Sequence, residues 1–175
     1  MVSEAWHSTK TPATMTDGIQ LRINIYRPDK PGRYPVLMLM GPYGKDTKYV
    51  DAPAYKSSWS KLLAKYPDLC KKSSCRYLRF EAPDPERSVQ DGYIVIAADS
   101  RGTGASPGML DPLSPREIED YATLITWASH QPWSAGKVGL VGTSYHRDQS
   151  MAGRCPATRG ACGDPSVGRC IRLLP

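Results

Sequence analysis

Three short apolar runs constrain this chain more than anything else in it: Tyr34 to Met40 (YPVLMLM), Tyr93 to Ala98 (YIVIAA) and Lys137 to Val141 (KVGLV). A run without polar alternation suits a strand covered on both faces of its sheet. Each ends in a turn of small residues: Gly41-Pro42-Tyr43-Gly44, Asp99-Ser100-Arg101-Gly102-Thr103-Gly104, and Gly142-Thr143-Ser144. Between the last two runs a helix is predicted over about Pro115 to His130. Ser114-x-x-Glu117 forms a capping box with Pro115 at the first helical position. Ile118, Tyr121, Ala122, Ile125 and Ala128 then fall on one apolar stripe. Buried strands separated by a helix imply an α/β fold with a parallel sheet and helices on its faces.

Upstream, Ile19 to Pro28 (IQLRINIYRP) alternates apolar and polar residues and reads as a half-buried strand. Asp17-Gly18 and Pro28-Asp29-Lys30-Pro31-Gly32 supply turns on either side. The stretch from Asp46 to Gly92 is long for one connection, and short helices are expected in it at Trp59 to Tyr66 and Pro83 to Val89. At 175 residues the chain has the length of one domain.

Composition excludes some functions. The net charge is +6, but the last 30 residues hold five Arg against two Asp, so half the excess sits in the tail. Lys71, Lys72, Arg76 and Arg79 make the only dense patch before it and read as a solvated face, so no nucleic-acid partner is expected. No apolar run approaches the roughly 18 residues of a membrane span. The N-terminus lacks a basic segment followed by an apolar one, so a cytoplasmic protein is expected. The five cysteines include no C-x-x-C pair. A disulfide framework and a zinc site are both poorly supported, and Cys70 and Cys75 are expected to be ordinary thiols.

Gly142-Thr143-Ser144 directly after an apolar strand has the form of the nucleophile turn of an α/β-hydrolase, where the amide after the serine faces the developing oxyanion. Alone, G-x-S also suits a loop serine or a helix cap. A wider series of motifs narrows this. It runs from Thr16-Asp17-Gly18-Ile19 and Ile25-Tyr26-Arg27-Pro28 to Gly41-Pro42-Tyr43-Gly44-Lys45 and Asp84-Pro85-Glu86. Asp99-Ser100-Arg101-Gly102-Thr103-Gly104, Glu119-Asp120-Tyr121, Gln131-Pro132-Trp133-Ser134 and Gly142-Thr143-Ser144-Tyr145 complete it. In this order they resemble the N-terminal part of the cocaine esterase and X-Pro dipeptidyl-peptidase family of serine hydrolases.

The resemblance covers roughly residues 15–145 and implies a partial α/β-hydrolase sheet ending at the nucleophile turn, without the family's helical cap and C-terminal jelly-roll domain. It makes Ser144 the nucleophile, the Tyr145 backbone amide one oxyanion donor and the Tyr43 phenol the other. It implies ester or X-Pro peptide substrates and no cofactor. Residues 1–14 then read as an N-terminal extension. The glycines of Arg101-Gly102-Thr103-Gly104 fail the spacing of a dinucleotide site and read as a structural turn. Nothing specifies an oligomeric state.

The chain departs from the family after Tyr145. The family continues Ser-Tyr-x-Gly, and here those last positions hold His146 and Arg147. Residues 146–175 contain no aromatic residue. Asp148 to Cys155 can be encoded so that a frame one base later reads Ile-Asn-Gln-Trp-Gln-Val-Ala-Ala, and Cys170 to Pro175 so that it reads Ala-Ser-Asp-Tyr-Tyr, both family-like. Residues 146–175 are therefore expected to be an out-of-frame, disordered tail that offers no strand to pair with Lys137 to Val141. The triad runs serine, acid, histidine in chain order, which places the acid and histidine beyond residue 175. The chain itself is expected to be inactive. The alternatives are a non-catalytic product with a basic tail, or a small hydrolase using His146 as an irregular base.

Overall fold

The three apolar runs lie side by side in the sheet. The computed structural model describes residues 6–53, 56–146, 148 and 172–174. Its strands are β1 (Trp6–Thr14), β2 (Gln20–Pro28), β3 (Tyr34–Gly41), β4 (Ile94–Asp99), β5 (Ser134–Leu140) and β6 (Arg172–Leu174), in the order β1-β2-β4-β3-β5-β6. β3 pairs in parallel with β4, Val36 opposite Ile94, and with β5, Val36 opposite Val138. The expected parallel sheet is thus confined to this centre, because β1, β2 and β6 add antiparallel.

All six residues of β4 are buried, as an uninterrupted apolar strand requires. On one face α3 (Pro115–Ser129) lays Tyr121, Leu124, Ile125 and Ala128 against Val36, Met38, Ile94, Ile96 and Val138. Fully burying a side chain such as Leu124 contributes about 2 kcal/mol relative to leaving it exposed. On the other face Tyr26, Leu39, Val95 and Ala97 pack with Val89 of α2 (Pro85–Gln90), Trp6 and Tyr77. A further helix, α1 (Lys56–Lys65), and a 3-10 turn at Pro67–Cys70 occupy the long connection.

Several expectations need correction. The sheet begins at Trp6, inside the stretch read as an extension. β1 pairs with β2 over nine residues yet carries no apolar alternation, since as an edge strand it buries little. β2 is covered on both faces in its middle: Asn24 bonds the Asp46 carboxylate at 2.9 Å, and the Arg79 guanidinium lies 5.3 Å from the centre of the Tyr26 ring. β5 does find a later partner, because Leu173 pairs opposite Gly139, so the sheet does not end at the Ser144 turn. The rest of the predicted disordered tail, apart from His146 and Asp148, lies outside the described residues.

Cys70 and Cys75 are not free thiols but a disulfide, their Cα atoms 5.6 Å apart. Glu86 gathers the loop between them. Its buried carboxylate accepts from the Ser73 hydroxyl at 2.6 Å and from the Ser74 amide and hydroxyl at 2.6 and 2.8 Å. That folding brings the two sulfurs within bonding range.

Candidate functional site

Parallel strands deliver their carboxyl ends to one edge of the sheet, and the turns after β3, β4 and β5 meet there. After β5 the Val141 amide still bonds the Met38 carbonyl at 3.0 Å. Three residues on, Ser144 takes φ 52° and is exposed. A serine side chain disfavours that left-handed conformation, and such strain gathers at functional sites. The Ser144 carbonyl accepts from the Asp148 amide at 3.1 Å, the bond that opens a helical turn. Strand, strained serine and helical turn therefore follow within a few residues.

The residues after Ser144 are anchored separately. The Tyr145 hydroxyl donates to a buried Glu117 carboxylate oxygen at 2.5 Å. Burial, then the Glu117 carboxylate, push the Tyr145 phenol well above its usual range. That phenol is committed to Glu117, which leaves the amide as the part of Tyr145 able to serve an oxyanion. The His146 ring turns inward, and its Nδ1 donates to the Met40 carbonyl at 2.8 Å. Burial lowers its pKa, against the opposing effect of that bond. His146 fits only because glycine stands at two neighbouring positions: a Cβ on Gly41 would lie 2.3 Å from its Cε1, and one on Gly142 would lie 2.1 Å from its Cβ.

Tyr43 joins the same group. Its ring centre lies 5.1 Å from that of Phe80, 5.4 Å from His146 and 6.2 Å from Tyr145, all nearly edge-on. The structure thus brings Tyr43, Ser144 and Tyr145 to one turn cluster. Arg147, at the family's glycine position, lies outside the described residues. Beside the cluster a cleft of about 470 Å³ is lined by Tyr49, Trp59, Leu62, Leu78, Arg79 and Glu81 and opens against Val141, Gly142 and Thr143.

The turn after β4 is structural, as read from sequence. Arg101 forms a fork onto Asp120, at 2.9 and 2.8 Å, and reaches Asp17 at 2.8 Å. Those hydrogen bonds, Asp120 first, raise its pKa further. Asp99, 1% exposed, receives the Lys45 and Ala105 amides. Burial pushes the Asp46 carboxyl upward, but hydrogen bonds from Lys45, Asn24 and Lys10 outweigh it and hold the group well below its usual value. Sequence reasoning missed Glu117 as a contact of the site. The capping box was visible, and the Ser114 hydroxyl does accept from the Glu117 amide at 3.2 Å. Its carboxylate, however, takes the Leu113 amide at 2.7 Å and the Tyr145 hydroxyl instead of returning to Ser114. No group of three or more His, Cys, Asp or Glu able to hold a metal occurs among the described residues. No helix among them is long and apolar enough to cross a membrane.

Residues 17–152 match the family described as X-Pro dipeptidyl-peptidase (S15 family). Cocaine esterase of Rhodococcus sp. is 34% identical over 131 residues, which is 75% of this chain and 18% of that protein. The crystal structure of a CocE/NonD family hydrolase from Staphylococcus aureus is 36% identical with a TM-score of 0.68, covering 83% of this chain and 24% of that one. An α-amino acid ester hydrolase at 23% identity shares the fold, with a TM-score of 0.57 over 85% of this chain and 23% of that one. The chain thus spans 18% to 24% of the length of these relatives. With the match running from before β2 to beyond the Ser144 turn, the chain belongs to the X-Pro dipeptidyl-peptidase (S15) family.

Proposed function

We propose that this chain carries the nucleophile side of a serine hydrolase site acting on ester or X-Pro peptide carbonyls. Ser144 is the attacking group that forms an acyl-enzyme. The Tyr145 amide and the Tyr43 phenol are the oxyanion donors, each worth about 100- to 1000-fold in rate once the site is complete. The observation that carries this reading is the exposed Ser144 at φ 52°, between an apolar strand and the start of a helical turn.

By itself the chain is inactive, because its three histidines are engaged away from Ser144. His7, on β1, sits between Asp29, at 2.6 Å, and Arg27 of β2. Four strand spacings separate β1 from β5, roughly 19 Å. His130 caps α3 at the far end of β5, about 20 Å along the strand from Ser144. The His146 Nδ1 is bonded to Met40 beneath Gly41. The triad acid and histidine are supplied by sequence outside this chain, and residues 146–175 are read in a shifted frame. A cytoplasmic location would keep Cys70 and Cys75 reduced, whereas the disulfide between them suits an oxidising compartment. Alkylation followed by non-reducing mass spectrometry reads that state directly.

The test is a fluorophosphonate probe, which labels only an activated serine. The expected result is no labelling of the purified chain. Stoichiometric labelling that Ser144→Ala abolishes would overturn the inactivity. Sequencing the coding DNA past codon 146 tests the frame: a shifted frame running on into a cap, an acid and a histidine is expected, and early stops would favour a non-catalytic product with a basic tail.

A further inference from the structure

The loop closed by Cys70 and Cys75 has an accessible side and a fixed side. Cys70 is half-buried whereas Cys75 is 3% exposed, so an incoming thiol reaches the Cys70 sulfur first. The inner side is held by Glu86 of α2 through its bonds from Ser73 and Ser74, and the Cys75 amide donates to the Ser73 hydroxyl at 2.9 Å. None of these bonds involves a sulfur, so they keep Cys75 beside Cys70 after the covalent link is broken.

Charge gathers on the outer side, where Lys71, Lys72 and Arg76 are exposed next to the two cysteines in the chain. Lys71 pairs with Asp68 at 2.7 Å, but Lys72 and Arg76 have no carboxylate within ion-pair distance among the described residues. A cleft of about 320 Å³ is lined by Asp68, Lys71, Lys72, Arg87, Gln90 and Asp91. It adjoins Cys70 on both sides: Lys71 follows Cys70 directly, and the Arg87 guanidinium donates to the carbonyl of Leu69, the residue before it. Cations beside an accessible sulfur favour thiolate chemistry there.

Such a surface suits a small thiol that carries carboxylates and an ammonium, the carboxylates drawn to Lys72 and Arg76 and the ammonium to Asp91. We propose that Cys70 is a modification site for an anionic, peptide-like thiol of the glutathione class, with Cys75 as the resolving thiol. The incoming thiolate attacks the Cys70 sulfur, the Cys70–Cys75 bond breaks, and Cys75 leaves with the electron pair and takes a proton. Ionised again, Cys75 reverses the step and expels the small thiol. A second thiol molecule instead attacks the first one's sulfur, releasing their disulfide and leaving two reduced cysteines, a transfer of two electrons in all. The site is independent of Ser144 and of any hydrolysis there.

The experiment uses the whole chain, oxidised with glutathione disulfide. Glutathione and its diethyl ester, which share a thiol but differ in their carboxylates, are added at equal thiolate concentration, and acid-quenched samples are mapped by mass spectrometry. Glutathione is expected to react about tenfold faster at low ionic strength, with the mixed disulfide on Cys70 and none on Cys75. Lys72→Gln combined with Arg76→Gln should bring the two rates together. Glu86→Ala should raise the trapped mixed disulfide severalfold, because the resolving thiol is no longer held in place. Equal rates in the wild type, a ratio that survives the double substitution, or glutathione mapped to Cys75 would overturn the proposal. So would an unchanged yield in Glu86→Ala, or a chain in which no Cys70–Cys75 bond forms. If Glu86→Ala does not fold, the wild-type rates and the double substitution decide. Ser144→Ala should change none of these readings, so fluorophosphonate labelling succeeds or fails independently of them.

Discussion

The turns after β4 and β5 are both glycine-rich, both follow a buried parallel strand and both lie at the same edge of the sheet, yet they are held in different ways. The turn after β4 is tied at every corner by earlier or nearby residues: Arg101 to Asp120 and Asp17, Asp99 to Lys45 and Ala105, and Ser106 to the backbone of β2. The turn after β5 is anchored by Tyr145 on Glu117 and by His146 on Met40, both of which follow the strained serine. The first turn is scaffold. The second holds Ser144 at an unfavourable backbone conformation and depends on what comes after it.

The sharpest test of this difference is Arg101→Met. It strands Asp120, 1% exposed, without its cation. Breaking a buried pair from one side costs about 3–5 kcal/mol. Urea unfolding should show a loss of that order, and a smaller loss than any change at the Ser144 turn would reverse the comparison. Next is Tyr145→Phe, which takes the hydroxyl from the buried Glu117 carboxylate and should cost about 1–3 kcal/mol by the same assay.

His146 gives a pH signature. Its folded pKa lies below the unfolded value of about 6.5, so between the two the unfolded chain binds more protons and stability rises with pH. Acidifying from about pH 7.5 to about pH 5.5 should therefore weaken folding, by at most about 1.4 kcal/mol per pH unit. His146→Gln, which can still donate to Met40, should flatten that slope. The smallest effect has the opposite sign. Ser144→Gly relieves φ 52° and should raise stability by up to about 1 kcal/mol, whereas Ser144→Ala should not.

The same contrast explains what was legible in the sequence. Buried strands and the α3 cap announce themselves through unbroken apolar runs and through Ser114 and Pro115, because burial and capping depend on local residue type. Gly142-Thr143-Ser144 was visible for a similar reason, since a sharp strand-to-helix turn needs small residues. β1 was not visible: its pairing comes from backbone groups, and it buries too few side chains to leave a period. The disulfide escaped notice because the approach of Cys70 and Cys75 is organised by Glu86, eleven residues beyond Cys75. Glu117 and Arg79 gain their roles only when distant segments meet, and no spacing rule records such a meeting.

The strand order also dictates when the sheet can close. β4 lies between β2 and β3, although both precede it in the chain. Until Ile94–Asp99 arrives, the growing polypeptide holds a β1–β2 hairpin and a separate β3, each with an apolar edge awaiting the same partner. Assembly is therefore governed by one late insertion, a long-range pairing of the slow kind. A pause in synthesis before that point would leave two sticky edges exposed together, and would favour pairing between neighbouring chains over closure within one.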